Sequence, residues 1–163
     1  MNRFALSAAG LATVSMGGSA LAAVVNAEHG LDRWSGEHSW QITDSGSNVV
    51  ASMDWPNYYG VSGFTYTTNS GATSHWGTVN FTMDLAAGDY TVTMQDSYGD
   101  GWVWGSYSGY LAVSGSAVDG GSASGTVASG SSTGSFSFTV IPAPGAMALL
   151  GLAGLAGRRR RRA

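Results

Sequence analysis

The chain has no cysteine and no lysine, and only three prolines in 163 residues. Without cysteine there is no disulfide framework, and a zinc site loses its commonest structural ligand. Positive charge is scarce and badly spread. All seven bases are arginines, and five form the run Arg158 to Arg162. From Val24 to Ile141 there are ten acids: Glu28, Asp32, Glu37, Asp44, Asp54, Asp84, Asp89, Asp96, Asp100 and Asp119. They face one base, Arg33, so ten minus one leaves this stretch about nine charges negative. A body with one base cannot neutralise a phosphate backbone, which excludes nucleic-acid binding. The length excludes a string of domains. A hydrophobic content of 44% excludes a long disordered acidic tail.

The first 27 residues read as a secretory signal peptide. Arg3 supplies the positive start, and an apolar, small-residue stretch runs from Phe4 to Leu21. Ala20-Leu21-Ala22 gives the small-x-small pattern of a signal-peptidase site, and Val25-Asn26-Ala27 gives a second. The competing reading is a buried N-terminal helix. Gly10, Gly17 and Gly18 disfavour it, because each glycine costs ~1 kcal/mol against alanine in a helix.

At the other end, Pro142-Ala143-Pro144 stops any preceding strand, since proline cannot donate to a ladder. Gly145 to Gly157 then carries no polar side chain. A helix of that length spans ~20 Å, short of the ~30 Å hydrocarbon core. The five arginines that follow can snorkel to the headgroups, and they stay cytoplasmic by the positive-inside rule. A proline pair, a short apolar helix and a terminal arginine cluster together resemble the PEP-CTERM sorting signal. The resemblance covers about Val140 to Ala163. The family pattern is Pro-Glu-Pro, and here Ala143 stands at the glutamate. It implies recognition by exosortase at Pro142, Ala143 and Pro144, removal of the tail with Arg158, Arg159, Arg160, Arg161 and Arg162, and delivery to the cell surface or extracellular polysaccharide matrix of a bacterium. The alternative is an unprocessed C-terminal transmembrane anchor.

Between the two ends lies one small domain, 28–141. Its signal is period-two alternation, the mark of half-buried strands. Trp40 and Ile42 alternate with polar neighbours, a turn follows at Asp44 to Asn48, and Val49 to Met53 returns as a partner strand. Phe64 and Tyr66 form another strand. Val79, Phe81, Met83 and Leu85 give the cleanest alternation, with Asn80, Thr82 and Asp84 facing out. Tyr90, Val92 and Met94 follow a turn at Ala86 to Asp89. Leu111 with Val113, and Phe136, Phe138 with Val140, complete the set. About seven or eight short strands predict an all-β, antiparallel, jelly-roll-like β-sandwich. From Ser114 to Ser135, all but Val118, Asp119 and Val127 are Ser, Gly, Ala or Thr, which predicts a long loop or a weak edge strand near Gly125 to Ser129.

The least generic stretch is Asp96-Ser97-Tyr98-Gly99-Asp100-Gly101-Trp102, led in by Gly88-Asp89-Tyr90-Thr91-Val92-Thr93. With Ser39-Trp40-Gln41-Ile42-Thr43-Asp44 upstream, it resembles the Asp-Ser-Tyr-Gly-Asp-Gly-Trp domains of secreted proteins. The resemblance spans about Glu37 to Val113. It implies a secreted β-sandwich and no particular activity. Two readings of the residues stand side by side. Asp96 and Asp100 can offer hard oxygens to calcium, while Gly99 and Gly101 permit the loop to wrap it. Equally, the segment can be a rigid turn, with Asp96 accepting backbone N–H groups and Tyr98 and Trp102 packed on the core.

A sandwich this small cannot bury all 17 aromatics of the body, so some are exposed. Exposed rings stack on the apolar faces of sugars, which makes Trp102, Trp104 and Tyr98 candidate carbohydrate contacts. The bland alternative is that these rings cover the ends of the sandwich. His29, His38 and His75 are read as surface or rim residues, because their spacing matches no zinc site. No catalytic constellation stands out, although Asp96 and Asp100 could pose as a glycosidase pair. The sequence therefore predicts a non-enzymatic exported protein, with a carbohydrate-binding module as alternative and a small hydrolase behind it. Signal peptidase, exosortase, a transient membrane contact and extracellular polysaccharide are the expected partners, and calcium is the one expected cofactor.

Overall fold

The computed structural model describes residues 22–68 and 76–142. The apolar stretch before Ala22, His75, and the tail with Ala143, Pro144 and Arg158 to Arg162 lie outside the described residues. No helix among the described residues is long and apolar enough to cross a membrane.

Alternation is converted into strands almost wherever it occurs. In chain order these are β1 (Ala23–Leu31), β2 (His38–Asp44), β3 (Val49–Asp54), β4 (Asn57–Tyr59), β5 (Ser62–Thr68) and β6 (Gly77–Leu85). Then come β7 (Gly88–Asp96), β8 (Val103–Trp104), β9 (Tyr107–Ser108), β10 (Tyr110–Ser114), β11 (Ser122–Gly125) and β12 (Thr133–Val140). One 3-10 turn, Ser35–Glu37, joins β1 to β2. The strands form two five-stranded antiparallel sheets, ordered β11-β10-β1-β6-β5 and β12-β7-β2-β3-β4, plus the small hairpin β8-β9.

The inward rows of the two sheets make one core. Val25, Val79, Phe81, Met83, Leu111 and Val113 come from the first sheet, and Trp40, Ile42, Met53, Val92, Met94 and Phe138 from the second. Trp40 of β2 stacks on Phe81 of β6, with centroids 5.5 Å apart and planes within 8°. That contact joins the sheets by a broad apolar face, worth ~0.5–1.5 kcal/mol beyond its area. Tyr90 and Phe138, paired across β7 and β12, stack at 5.3 Å beside it.

Three expectations shift. The sheets hold more strands than the seven or eight foreseen, because β4, β11 and the β8-β9 hairpin are too short to show a period. The residues 23–27, read as the end of a signal peptide, belong to β1, a central strand paired with both β6 and β10. Val25 and Ala27 are core residues. The small-residue segment is also more ordered than a loop. It supplies edge strand β11, and Val118 and Val127 are fully buried. At the C-terminal side the last tie among the described residues is Ile141 N–H to Ala117 O, 2.8 Å, immediately before Pro142.

Candidate functional site

The functional candidates gather at one end of the sandwich, where β1 runs out, β7 ends, and the loops 32–37 and 97–109 meet. The inward row of β1 continues through Val25 and Ala27 to His29. The inward row of β2 begins at His38 and continues to Trp40 and Ile42. Both histidines are thus carried into the interior, and neither is a surface or rim residue. Tyr58 Oη sits 2.8 Å from His29 Nδ1, His29 Nε2 lies 3.2 Å from His38 Nδ1, and His38 Nε2 lies 3.1 Å from Asp32 Oδ1. Asp32 Oδ1 also accepts the Trp34 N–H at 2.8 Å, which marks it as the acceptor end. For neutral rings one donor order satisfies the whole row: Tyr58 donates to His29, His29 to His38, and His38 to Asp32. Burial, and then His38 beside it, hold His29 well below the usual histidine pKa. Burial first, and Tyr66 second, push the Tyr58 hydroxyl up.

Trp102 closes this row from the side. Its ring lies flat on His38, centroids 4.2 Å apart and planes 12° apart. Its indole N–H donates to Gln95 O at 3.1 Å, and its backbone N–H donates to Val127 O at 3.0 Å. Trp102 is fully buried. It has no free face for a sugar, so the carbohydrate role assigned to it from the sequence is corrected to a core role. Tyr98 differs in the opposite sense. It is 77% exposed rather than packed on the core.

The rest of the motif forms a tight turn. Asp96 Oδ1 accepts the Gly99 N–H, and Asp96 is itself buried. Gly101 has φ +90°, and a Cβ there would meet Ala128 O at 2.2 Å. Only glycine lets the chain pass so close to the 127–130 segment. Ser97 N–H donates to Glu37 O at 3.0 Å, which brings the 3-10 turn alongside. Oxygens of Glu37, Asp96 and Asp100 then lie within 4.8 Å of one another. Glu37 was absent from the sequence-derived pair. Its pKa is raised, by burial first and then by Asp96, Asp100 and Asp32. The three carboxylates repel one another, and hard oxygens so placed can hold a divalent cation.

The same two loops contribute to an aromatic corner. Trp104 stacks on Tyr107 at 5.5 Å and 13°, and Trp76 stands edge-on to both, at 5.9 and 5.7 Å. The guanidinium of Arg33 lies over Trp104 (4.8 Å), Trp34 (5.5 Å) and Trp76 (5.7 Å). Arg33 makes no ion pair among the described residues. The lone base of the body is thus held by rings. Trp104 remains half-buried and keeps part of its surface open. Of the residues read from the sequence as a sorting motif, only Pro142 is described. It is exposed and lies two residues past the end of β12.

No family model matches the chain, and no curated protein and no solved structure matches it.

Proposed function

We propose that the chain is an exported, non-enzymatic protein, delivered to the cell surface or the extracellular matrix by a PEP-CTERM-like C-terminal signal. The observation that carries this reading is where the described strands lie relative to the two signals. Strand β1 begins at Ala23, directly after Ala20-Leu21-Ala22. Among the described residues the last backbone tie is made by Ile141, directly before Pro142. The domain therefore fits between the two proposed processing signals. Cleavage after Ala22 leaves β1 whole. Cleavage after Ala27 would remove Val25 and Ala27 from the core, so the first site is the one this reading selects. The sheet order supports a jelly-roll-like description, because the chain changes sheet between β1 and β2, β4 and β5, β6 and β7, β7 and β10, and β11 and β12.

The burial of the two described histidines and their carboxylate partner supports the non-enzymatic part. His29, His38 and Asp32 are closed from solvent, and Asp96 is tied into its own turn. A catalytic acid or base must reach its substrate's proton at ~2.6–3.2 Å or through one water. The deciding experiment is the intact mass of the extracellular form. The approach of Glu37 to Asp96 and Asp100 favours a second component of this reading, a calcium ion that stabilises the loop end. Millimolar extracellular calcium fills even weak sites. Melting with calcium and with chelator tests it.

A further inference from the structure

The outer face of the second sheet carries a different feature. Strand register places Gln41 between Thr93 and Ser52, and Ser52 beside Tyr59. One step along, Ser39 lies between Gln95 and Asp54. These residues point away from the core, because their neighbours Trp40, Met53 and Met94 point into it. They line a shallow open groove of about 230 Å³. The side chains of Ser39, Gln41, Ser52, Asp54, Tyr59 and Gln95 have no hydrogen-bond partner among the described residues. Farther along the same face the pattern changes. Thr43 Oγ1 donates to Thr91 O, and the Thr91 and Ser137 hydroxyls pair with each other. The groove therefore gathers six unspent polar side chains side by side on one face.

We propose that this groove binds an uncharged polysaccharide chain. Each glutamine amide offers two donors and an acceptor, each serine hydroxyl offers both, and Asp54 accepts. That mixture matches sugar hydroxyls, which also donate and accept. Tyr59, 58% exposed, supplies the flat apolar surface on which a sugar ring can lie. No base lines the groove, so it has nothing to pair with a phosphate or a uronate. The body's charge, ten acids against one base, repels polyanions further. From β7 to β4 the groove crosses three strand spacings, ~14 Å, and an open trough of that reach suits a chain better than an enclosed small molecule. All but Tyr59, which ends the edge strand β4, sit on inner strands whose backbone is fixed by ladders on both sides, so little ordering is needed on binding.

This site goes beyond the export reading and does not depend on it, because binding is measured on purified protein. The full chain, in mild detergent, is tested for retention on neutral glucan, mannan, galactan and xylan, and on a polyuronate. The expected result is retention on at least one neutral polymer, insensitive to 0.5 M salt (about three to four times physiological ionic strength). Tyr59→Ala and Gln41→Ala should each weaken it about tenfold or more while melting normally. Trp104→Ala, at the other aromatic cluster, should leave it unchanged. Retention on none of the neutral polymers overturns the proposal. So does retention on the polyuronate alone, or retention that survives both groove substitutions.

Discussion

His38 lies flat on Trp102, ring centroids 4.2 Å apart, while its Nε2 donates to Asp32 at 3.1 Å. The contact joins the start of β2 to the Asp96–Trp102 turn. It explains why a loop rich in glycine holds one conformation: the loop's tryptophan is the lid on a buried polar row. Every member of that row has a partner, and removal of any one leaves another unsatisfied in the interior.

Asp32→Ala should be costly for this reason. It strips the acceptor from both His38 Nε2 and the Trp34 N–H. Hydrogen bonds to a charged group contribute about 1.5–3 kcal/mol, so a loss of about 3 kcal/mol is expected by denaturant unfolding. A loss below about 0.5 kcal/mol would mean that the row is not held by Asp32.

Acid should unfold the protein early. The folded pKa of His29 is depressed by burial and by His38, while unfolded histidine titrates near ~6.5. The unfolded chain therefore binds the extra proton first. Stability is full above about pH 6.5 and falls below it, by at most ~1.4 kcal/mol per pH unit for this group. The groups around His29 are His38, Tyr58, Trp40 and Trp102, with Asp32 beyond His38. His29→Gln should flatten the pH dependence between pH 6.5 and 5. A wild-type melting temperature unchanged over that interval would contradict the account.

The two buried tryptophans should respond differently. The Trp102 indole N–H donates to Gln95 O, whereas that of Trp40 finds no acceptor among the described residues. Trp102→Phe loses a hydrogen bond, while Trp40→Phe removes an unpaired donor. Trp102→Phe should be the more destabilising by about 1 kcal/mol in denaturant unfolding. Equal effects would contradict the hydrogen-bond assignment.

Calcium should raise the melting temperature through the Glu37, Asp96 and Asp100 oxygens. At a hundredfold excess over Kd the gain is about 2.7 kcal/mol. Asp100→Asn, at an exposed position, should abolish the response without unfolding the chain. Without cation, burial first and the neighbouring carboxylates second raise the pKa of Glu37, so the folded state favours its protonation. This group's contribution therefore grows as pH falls through its raised value and shrinks as pH rises, opposite in sign to that of His29. A midpoint that moves with neither calcium nor chelator leaves the rigid turn alone as the explanation of the motif.

Much of the fold was legible because alternation and burial coincide. Val79 to Leu85 and Tyr90 to Met94 read directly as inward rows and are buried as read. The same rule, carried further, would have found the buried histidines. Val25, Ala27, His29 and Leu31 continue one inward row, and His38, Trp40 and Ile42 another. The row on β1 was obscured because its first residues also resemble a cleavage site. Trp102 could not be placed this way, since it lies in a turn with no period. Glu37 reaches Asp96 only through the pairing of β2 with β7, a contact between residues far apart in sequence. The groove at Tyr59 was hidden for a related reason. It is assembled from β7, β2, β3 and β4, and β4 is too short to announce itself.

The export account is tested most directly by the intact mass of the extracellular protein recovered from its own cells. The account predicts a chain that begins at Ala23 and has lost Arg158 to Arg162, with its end near Pro142. A surface form that begins at Glu28, or that still carries the five arginines, would contradict it.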